Sequence, residues 1–350
     1  MRPLFCAVLL ALSCGGSSPQ GAGSTATPDA APVPLPRADP PGPSIAGCPV
    51  FPVSNDWNQE ISTEPTDPRS ASFLGHIGTG LKLHADFGAD LRTGIPYLVV
   101  PPSQPRVPMQ FTFASQSDPG PYPFPDDVPI QGGRDAPGDR HAVVIDSGAC
   151  LLYETYDTHW LGPGLGYRAG SGAIFDLRTG AARPDGWTSA TASGLPLFPG
   201  LARYEEVLAG EIRHALTFTA GTAARSFVHP GTHPGTSDDP DAPPMAARLR
   251  LKASYDLTAT TGMSRVILVA LKRYGMFLVD EAEGSFVAIS GATDSRWDDR
   301  DLDQLKAVPL AAFEVVQLPP EERASPVTGG ARMRVAYGGG AGFARDRRRP

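Results

Sequence analysis

Lysine is almost missing from this chain. It occurs only at Lys82, Lys252, Lys272 and Lys306, so the positive charge is nearly all arginine, and the balance over 350 residues is −7. A nucleic-acid partner calls for a basic stripe, and neither the charge nor its distribution supplies one. The N-terminal apolar run Leu4–Leu12 is far shorter than the roughly 20 residues of a membrane-spanning helix. Familiar catalytic signatures are missing too: there is no HExxH, no P-loop, no dinucleotide fingerprint after a strand and no GxSxG. Ser171 comes nearest to the last, but Ala169 and Ala173 stand where the glycines belong. These gaps exclude the readily recognised zinc peptidases, nucleotide binders and serine hydrolases. No cofactor and no metal is implied.

Glycine (39) and proline (38) are abundant, well above the roughly 12% of ordinary usage. Part of the excess lies at the two ends. Met1-Arg2 and the run Leu4–Leu12 have the form of a signal peptide, and Leu10-Ala11-Leu12-Ser13-Cys14 resembles a bacterial lipobox, with Ala11 where Leu is usual. The reading is a lipoprotein-type signal peptide over 1–13 with Cys14 lipidated. Residues 14–47 are Pro/Gly/Ser-rich with almost no large apolar side chain, too little to offset the entropy of ordering, and read as a disordered tether. A single β-rich globular domain follows over 48–318, and 319–350 reads as a disordered tail. With Cys6 in the cleaved segment and Cys14 carrying lipid, an exported chain is left with Cys48 and Cys150, expected to form a disulfide.

Within the domain, 140–157 reads as two strands joined by Ser147-Gly148-Ala149-Cys150, β-branched and aromatic on both sides of the turn. Further strands are expected at 97–100, 108–114, 172–177, 212–220, 247–255, 276–280 and 285–290. Helices are expected at 69–77, where Asp67-Pro68 is a start signal and Gly78 a stop, and at 203–209, 264–274 and 301–308. Strand outweighs helix. The fold class is therefore mainly β (α+β), an antiparallel β-sandwich or barrel with a few peripheral helices. The proline-rich loop 117–133 is expected to lie extended on the surface.

Candidate chemistry gathers on the hairpin. Glu154 shares a strand face with Leu152 and Tyr156, an apolar setting that raises a carboxyl pKa and suits a general acid. His141 and His214 are the accompanying candidates, and Asp157, Asp176 and Glu206 could supply the second carboxylate of a glycan hydrolase. Arg140, Trp160 and Tyr167 are candidate binding residues, the two aromatics because they flank the LGPGLG loop and could stack on sugar rings. Trp57, Trp187 and Trp297 divide between that role and the core. His229 and His233, near Asp238, Asp239 and Asp241, lie in a Pro/Gly loop and read as a polar loop without metal. Asp294–Asp303 starts like a calcium loop, but Gln304 and Leu310 occupy positions that need Gly and Glu, so helix capping explains the run.

Several stretches together resemble a family of secreted bacterial proteins with no established activity: SNDWNQEIS, TGIPYLVVPPSQPRVPMQF, DPGPYPFPDDVPIQGG, DRHAVVID, CLLYE, GSGAIFDL, DGWTSATASGLPLFPGLARYEEV, EIRHALTFT, RLRLKASYDL, LKRYGMFLVD and RWDDRDLDQLKAVP. The resemblance spans nearly all of 50–316 and implies export and one domain; its members sometimes carry polysaccharide-handling modules. The expectation is an extracytoplasmic lipoprotein, held at the outer membrane or cell surface by its lipid, that engages polysaccharide, as a glycan hydrolase if it is catalytic. The competing reading is a non-catalytic surface binding or structural domain.

Overall fold

β-branched runs that end in tight turns supply the ten strands of the two largest of the five sheets among the described residues. In chain order these are β1 (Lys82–Ala85), β2 (Tyr97–Val100), β3 (Ala142–Asp146), β4 (Leu151–Tyr156), β5 (Ser171–Asp176), β6 (Leu216–Thr219), β7 (Arg248–Leu251), β8 (Met276–Asp280), β9 (Phe286–Ile289) and β10 (Phe313–Val315). The computed structural model describes residues 42–282 and 284–323. The signal peptide, Cys14, most of the tether and most of the C-terminal tail lie outside the described residues.

One sheet has the order β5-β4-β3-β2; the other, curled, has the order β10-β7-β8-β6-β9-β1. The class is mainly β, with four α-helices among the described residues: α1 (Ser70–Ile77), α2 (Tyr204–Leu208), α3 (Gly262–Arg273) and α4 (Asp299–Leu302). Pairing is mixed rather than wholly antiparallel, since β2/β3, β6/β8 and β9/β1 run parallel. Parallel neighbours need a long crossover, and the β6-to-β8 connection, which contains β7 and α3, is one.

Three apolar clusters stack across these layers. Phe73, Leu271, Phe218 and Leu278 join α1 and α3 to the outer face of the curled sheet. Val143, Ile145, Leu152, Phe277 and Val279 fill the space between the sheets. Tyr122, Phe124, Val144, Tyr153 and Tyr167 cover the far face of the smaller sheet. The third cluster corrects one expectation: the loop 117–133 is a lid, not a surface strap, with Tyr122 and Phe124 completely buried. Burying each ring is worth roughly 2–3 kcal/mol, enough to draw a proline-rich segment onto the sheet.

Local signals act where expected, with changes of partner. α1 stops at Gly78, whose φ of 116° and N–H to Leu74 O close the helix. Ser264, the first residue of the expected helix 264–274, lies inside α3; its N–H donates to Asp301 Oδ1 at 2.7 Å, so the capping carboxylate comes from α4. Asp298 caps α4 itself. The hairpin β3–β4 pairs Asp146 with Leu151 and Val143 with Glu154, and its turn is held by Asp146 Oδ1 accepting from Gly148 and Ala149 N–H. Cys150 is bonded to Cys48 with Cα atoms 5.5 Å apart. Pairing starts ahead of Cys48 among the described residues, where Ser44–Ile45 pairs with Cys48–Pro49. At the other end Glu322 pairs with Phe227.

Candidate functional site

Glu154, His141 and His214 occupy three different hydrogen-bonded settings. The Glu154 side chain points between the sheets, fully buried. Its carboxylate accepts from Leu197 N–H (2.8 and 3.0 Å) and Phe198 N–H (2.7 Å), at the start of the short 3₁₀ turn Phe198–Gly200. Burial pushes the carboxyl up to about 7, although those two amides and the charge of Arg183 pull the other way. No polymer can touch a group so enclosed. Of its expected carboxylate partners, none bonds to it. Asp157 pairs with His159 at 2.6 Å, Asp176 accepts from Arg178 N–H, and Glu206 pairs with Arg203 and His214.

His214 is fully buried, its ring nitrogens facing Ala215 O at 2.8 Å and Glu206 Oε2 at 3.0 Å. Burial alone would raise Glu206; Arg203 and His214 outweigh it and hold the carboxylate below its ordinary range. Because Arg203 also donates to Phe198 O, Glu154 and His214 are the two ends of one buried polar chain.

The expected binding residues are mostly internal. Tyr167 is completely buried and its hydroxyl donates to Pro125 O. Arg140 is buried, and its guanidinium ties together the Arg134, Ala136 and Thr158 carbonyls. Neither offers a surface to a ligand, which corrects both expectations. A strand next to an apolar lid buries whatever faces the lid. Trp160 is half-buried, with the Arg134 guanidinium 4.6 Å from its ring centroid. Trp57 and Trp297 are core; Trp187 is half-buried under Arg183. Among the described residues no group of three or more His, Cys, Asp or Glu is placed to hold a metal. Asp238 and Asp239 pair with Arg225 and His76 instead.

A different set of groups meets at the open end of the hairpin, around Asp139. This residue is 8% exposed, and its Oδ1 has no hydrogen-bond partner. Burial raises its pKa, with His141 opposing. The chain is strained on both sides of the hairpin here: Arg140 and Asp157 adopt φ of 52°, a region that non-glycine residues enter rarely. His141 is buried, with Nε2–H donating to Ala190 O at 3.0 Å and Nδ1 2.8 Å from the Gln131 amide; burial lowers its pKa. Two residues on, Ala192 N–H donates to Asp280 Oδ1 at 2.7 Å. Asp280, at the end of β8, is raised well above the ordinary carboxylate by burial, and the charges of Asp139 and Glu281 add to it. The segment Ala190–Ala192 is thus pinned between His141 and Asp280. Tyr156 packs beside His141, ring centroids 6.0 Å apart, and is pushed up to about 12 by burial and by Asp139, Asp157 and Asp280.

Asp139 also acts on Asp86, just past β1. Asp86 is open to solvent and lines a cleft of about 300 Å³ with His84, Phe87, Asp299, Asp303 and Lys306. The protein crowded round it, with Asp139 contributing, pushes its carboxyl up to about 6. Asp299 Oδ1 accepts from Ala89 N–H at 2.9 Å. Glycine at position 88 allows this approach, since a Cβ there would stand 2.4 Å from that oxygen. Asp90, at the cleft's edge, is held down to about 2 by Arg92.

Sequence reasoning singled out His141 but passed over Asp86, Asp139, Asp280 and Asp299 as members of a site. The available signal was an acid closing an apolar strand: Asp280 after MFLV, Asp86 after LHA. Comparison of the chain with family models, with curated proteins and with solved structures returns no match.

Proposed function

We propose that this protein is an extracytoplasmic domain, lipid-anchored through Cys14, that engages polysaccharide in the Asp86 cleft and hydrolyses it with Asp86 as general acid. The observation that carries the reading is Asp86 itself: a solvent-reachable carboxyl on a cleft wall, raised to about 6. A general acid works best with its pKa near the working pH. Asp299, on the same cleft and oriented by Ala89 N–H, is the second carboxylate that glycoside hydrolysis requires, as base toward water or as nucleophile. The protein crowded round Asp86, with the charge of Asp139 adding to it, keeps Asp86 protonatable. The Cys48–Cys150 bond fits an oxidising compartment, and no helix of the described residues is long and apolar enough to cross a membrane. Attachment by lipid accords with both.

Release of reducing ends from a panel of bacterial and plant polysaccharides tests this. Wild type releases them; Asp86→Asn loses at least about a hundredfold, the scale of one acid–base group, while Glu154→Gln keeps activity in proportion to its folded fraction. Full activity in Asp86→Asn would sink the assignment. An exposed aromatic beside the cleft favours one further reading, that the domain binds glycan without cleaving it. Saturable binding with no product from any polysaccharide selects that reading.

A further inference from the structure

The Asp86 cleft has an aromatic edge. Phe286, at the start of β9, is 44% exposed, an uncommon exposure for a phenylalanine in a strand with well-buried neighbours. Its ring lies against the His84 ring, centroids 4.6 Å apart at 41°. The pairing is set by register: β9 runs parallel to β1 with Phe286 opposite Lys82 and Ala288 opposite His84, so Phe286 and His84 are diagonal neighbours on one sheet face. His84 lines the cleft, and Phe286, outside the lining itself, is an exposed apolar ring joined to it through His84. Burial and Lys306 together lower the His84 pKa, so the imidazole is neutral at neutral pH and the ring pair carries no charge.

We infer that this cleft is a subsite for a single uncharged sugar ring, stacked on Phe286 and His84 with its hydroxyls bonded to the carboxylates beneath. An exposed ring next to convergent carboxylates is the arrangement that recognises a pyranose: the apolar face of the sugar covers the ring, and its hydroxyls donate to the acids. The size agrees, since about 300 Å³ is at the lower end of small-molecule sites. Charge selects against acidic glycans. Asp86, Asp90, Asp299 and Asp303 face the cleft against Lys306, which is already paired with Asp303 at 2.5 Å. The subsite rests on the reading of the protein as one that engages polysaccharide, but it does not require hydrolysis.

Calorimetric titration of the full chain with neutral hexasaccharides (gluco-, xylo- and manno-configured), a uronic-acid oligomer and a glucosamine oligomer provides the test. At least one neutral oligomer binds saturably and the uronic-acid oligomer does not. Phe286→Ala weakens that binding tenfold or more, Phe286→Trp preserves it, and Leu208→Ala, which alters an exposed apolar residue elsewhere (70% exposed), leaves it unchanged. No saturable binding of any neutral oligomer, equal binding by Phe286→Ala, or binding of the glucosamine oligomer alone overturns the inference. Product release measured beside binding separates it from the catalytic reading: a neutral oligomer that binds saturably through Phe286 and is never cleaved leaves the subsite standing and removes Asp86 as general acid.

Discussion

Glu154 and Asp139 are buried carboxyls of the same hairpin, and the protein treats them in opposite ways. Glu154 is enclosed between the sheets and both its oxygens receive backbone amides. Asp139, at the open end, has an oxygen with no partner, a left-handed neighbour on its C-terminal side, and further acids within electrostatic reach. A satisfied buried carboxylate organises structure. An unsatisfied one costs free energy that folding does not recover, and such costs concentrate where chemistry is done. The two groups differ in their bonding partners more than in their burial.

The comparison can be broken from the structural end first. Opening the Cys48–Cys150 bond releases a span of 102 residues, worth about 4–5 kcal/mol in the chain-entropy model. The Cys48→Ser protein should show a correspondingly lower denaturant midpoint; an unchanged midpoint would mean that the hairpin turn needs no staple. Next in size is Glu154→Ala, which strands the Leu197 and Phe198 amides and should cost about 3 kcal/mol.

The pH dependence of stability follows from the same residue. Its folded pKa, about 7, lies above the ordinary 4.5, so its contribution is complete below about 4.5 and is lost as pH rises through 7. The rise corresponds to roughly 3 kcal/mol. Urea melts at pH 5 and pH 8.5 should show wild type more stable at the lower pH, and Glu154→Gln should reduce that difference. A difference of the same size in the variant would assign it to Asp139 and Asp280, which titrate in the same direction.

Asp139→Asn sharpens the contrast with the smallest effect on folding. Removing an unpaired buried charge should leave stability within about 1 kcal/mol of wild type. Losing its charge should also lower the Asp86 pKa, which a carboxyl-carbon NMR titration reads directly. A stability loss as large as that of Glu154→Ala, with Asp86 unmoved, would make Asp139 a structural residue and dissolve the comparison.

Parts of this were open to reading in the chain itself. The hairpin, its turn and the choice of Cys48 and Cys150 as partners followed from strand propensity and from how few cysteines an exported chain has left. The stop at Gly78 and the helix through Ile267 and Leu271 followed from local signals. The lid did not: Tyr122 and Phe124 are set among prolines that argue for a solvated loop, and only the apolar face of β3 and β4 gives them somewhere to go. Tyr167 and Arg140 were misplaced for the same reason, since alternation along a strand says that a face exists but not what covers it.

The chain by itself determined a mainly β body, a disulfide at the hairpin turn and a net negative charge, because propensity, redox chemistry and net charge are local or additive. Tertiary structure alone decided which acids come within electrostatic reach of one another. Asp86, Asp139 and Asp280 lie far apart in the chain, and their pKa values depend on how much water the fold removes and which charges it brings near. Desolvation and proximity are properties of the packed molecule. They are why the proposed chemistry rests on Asp86, in a cleft, and not on Glu154, which the fold encloses.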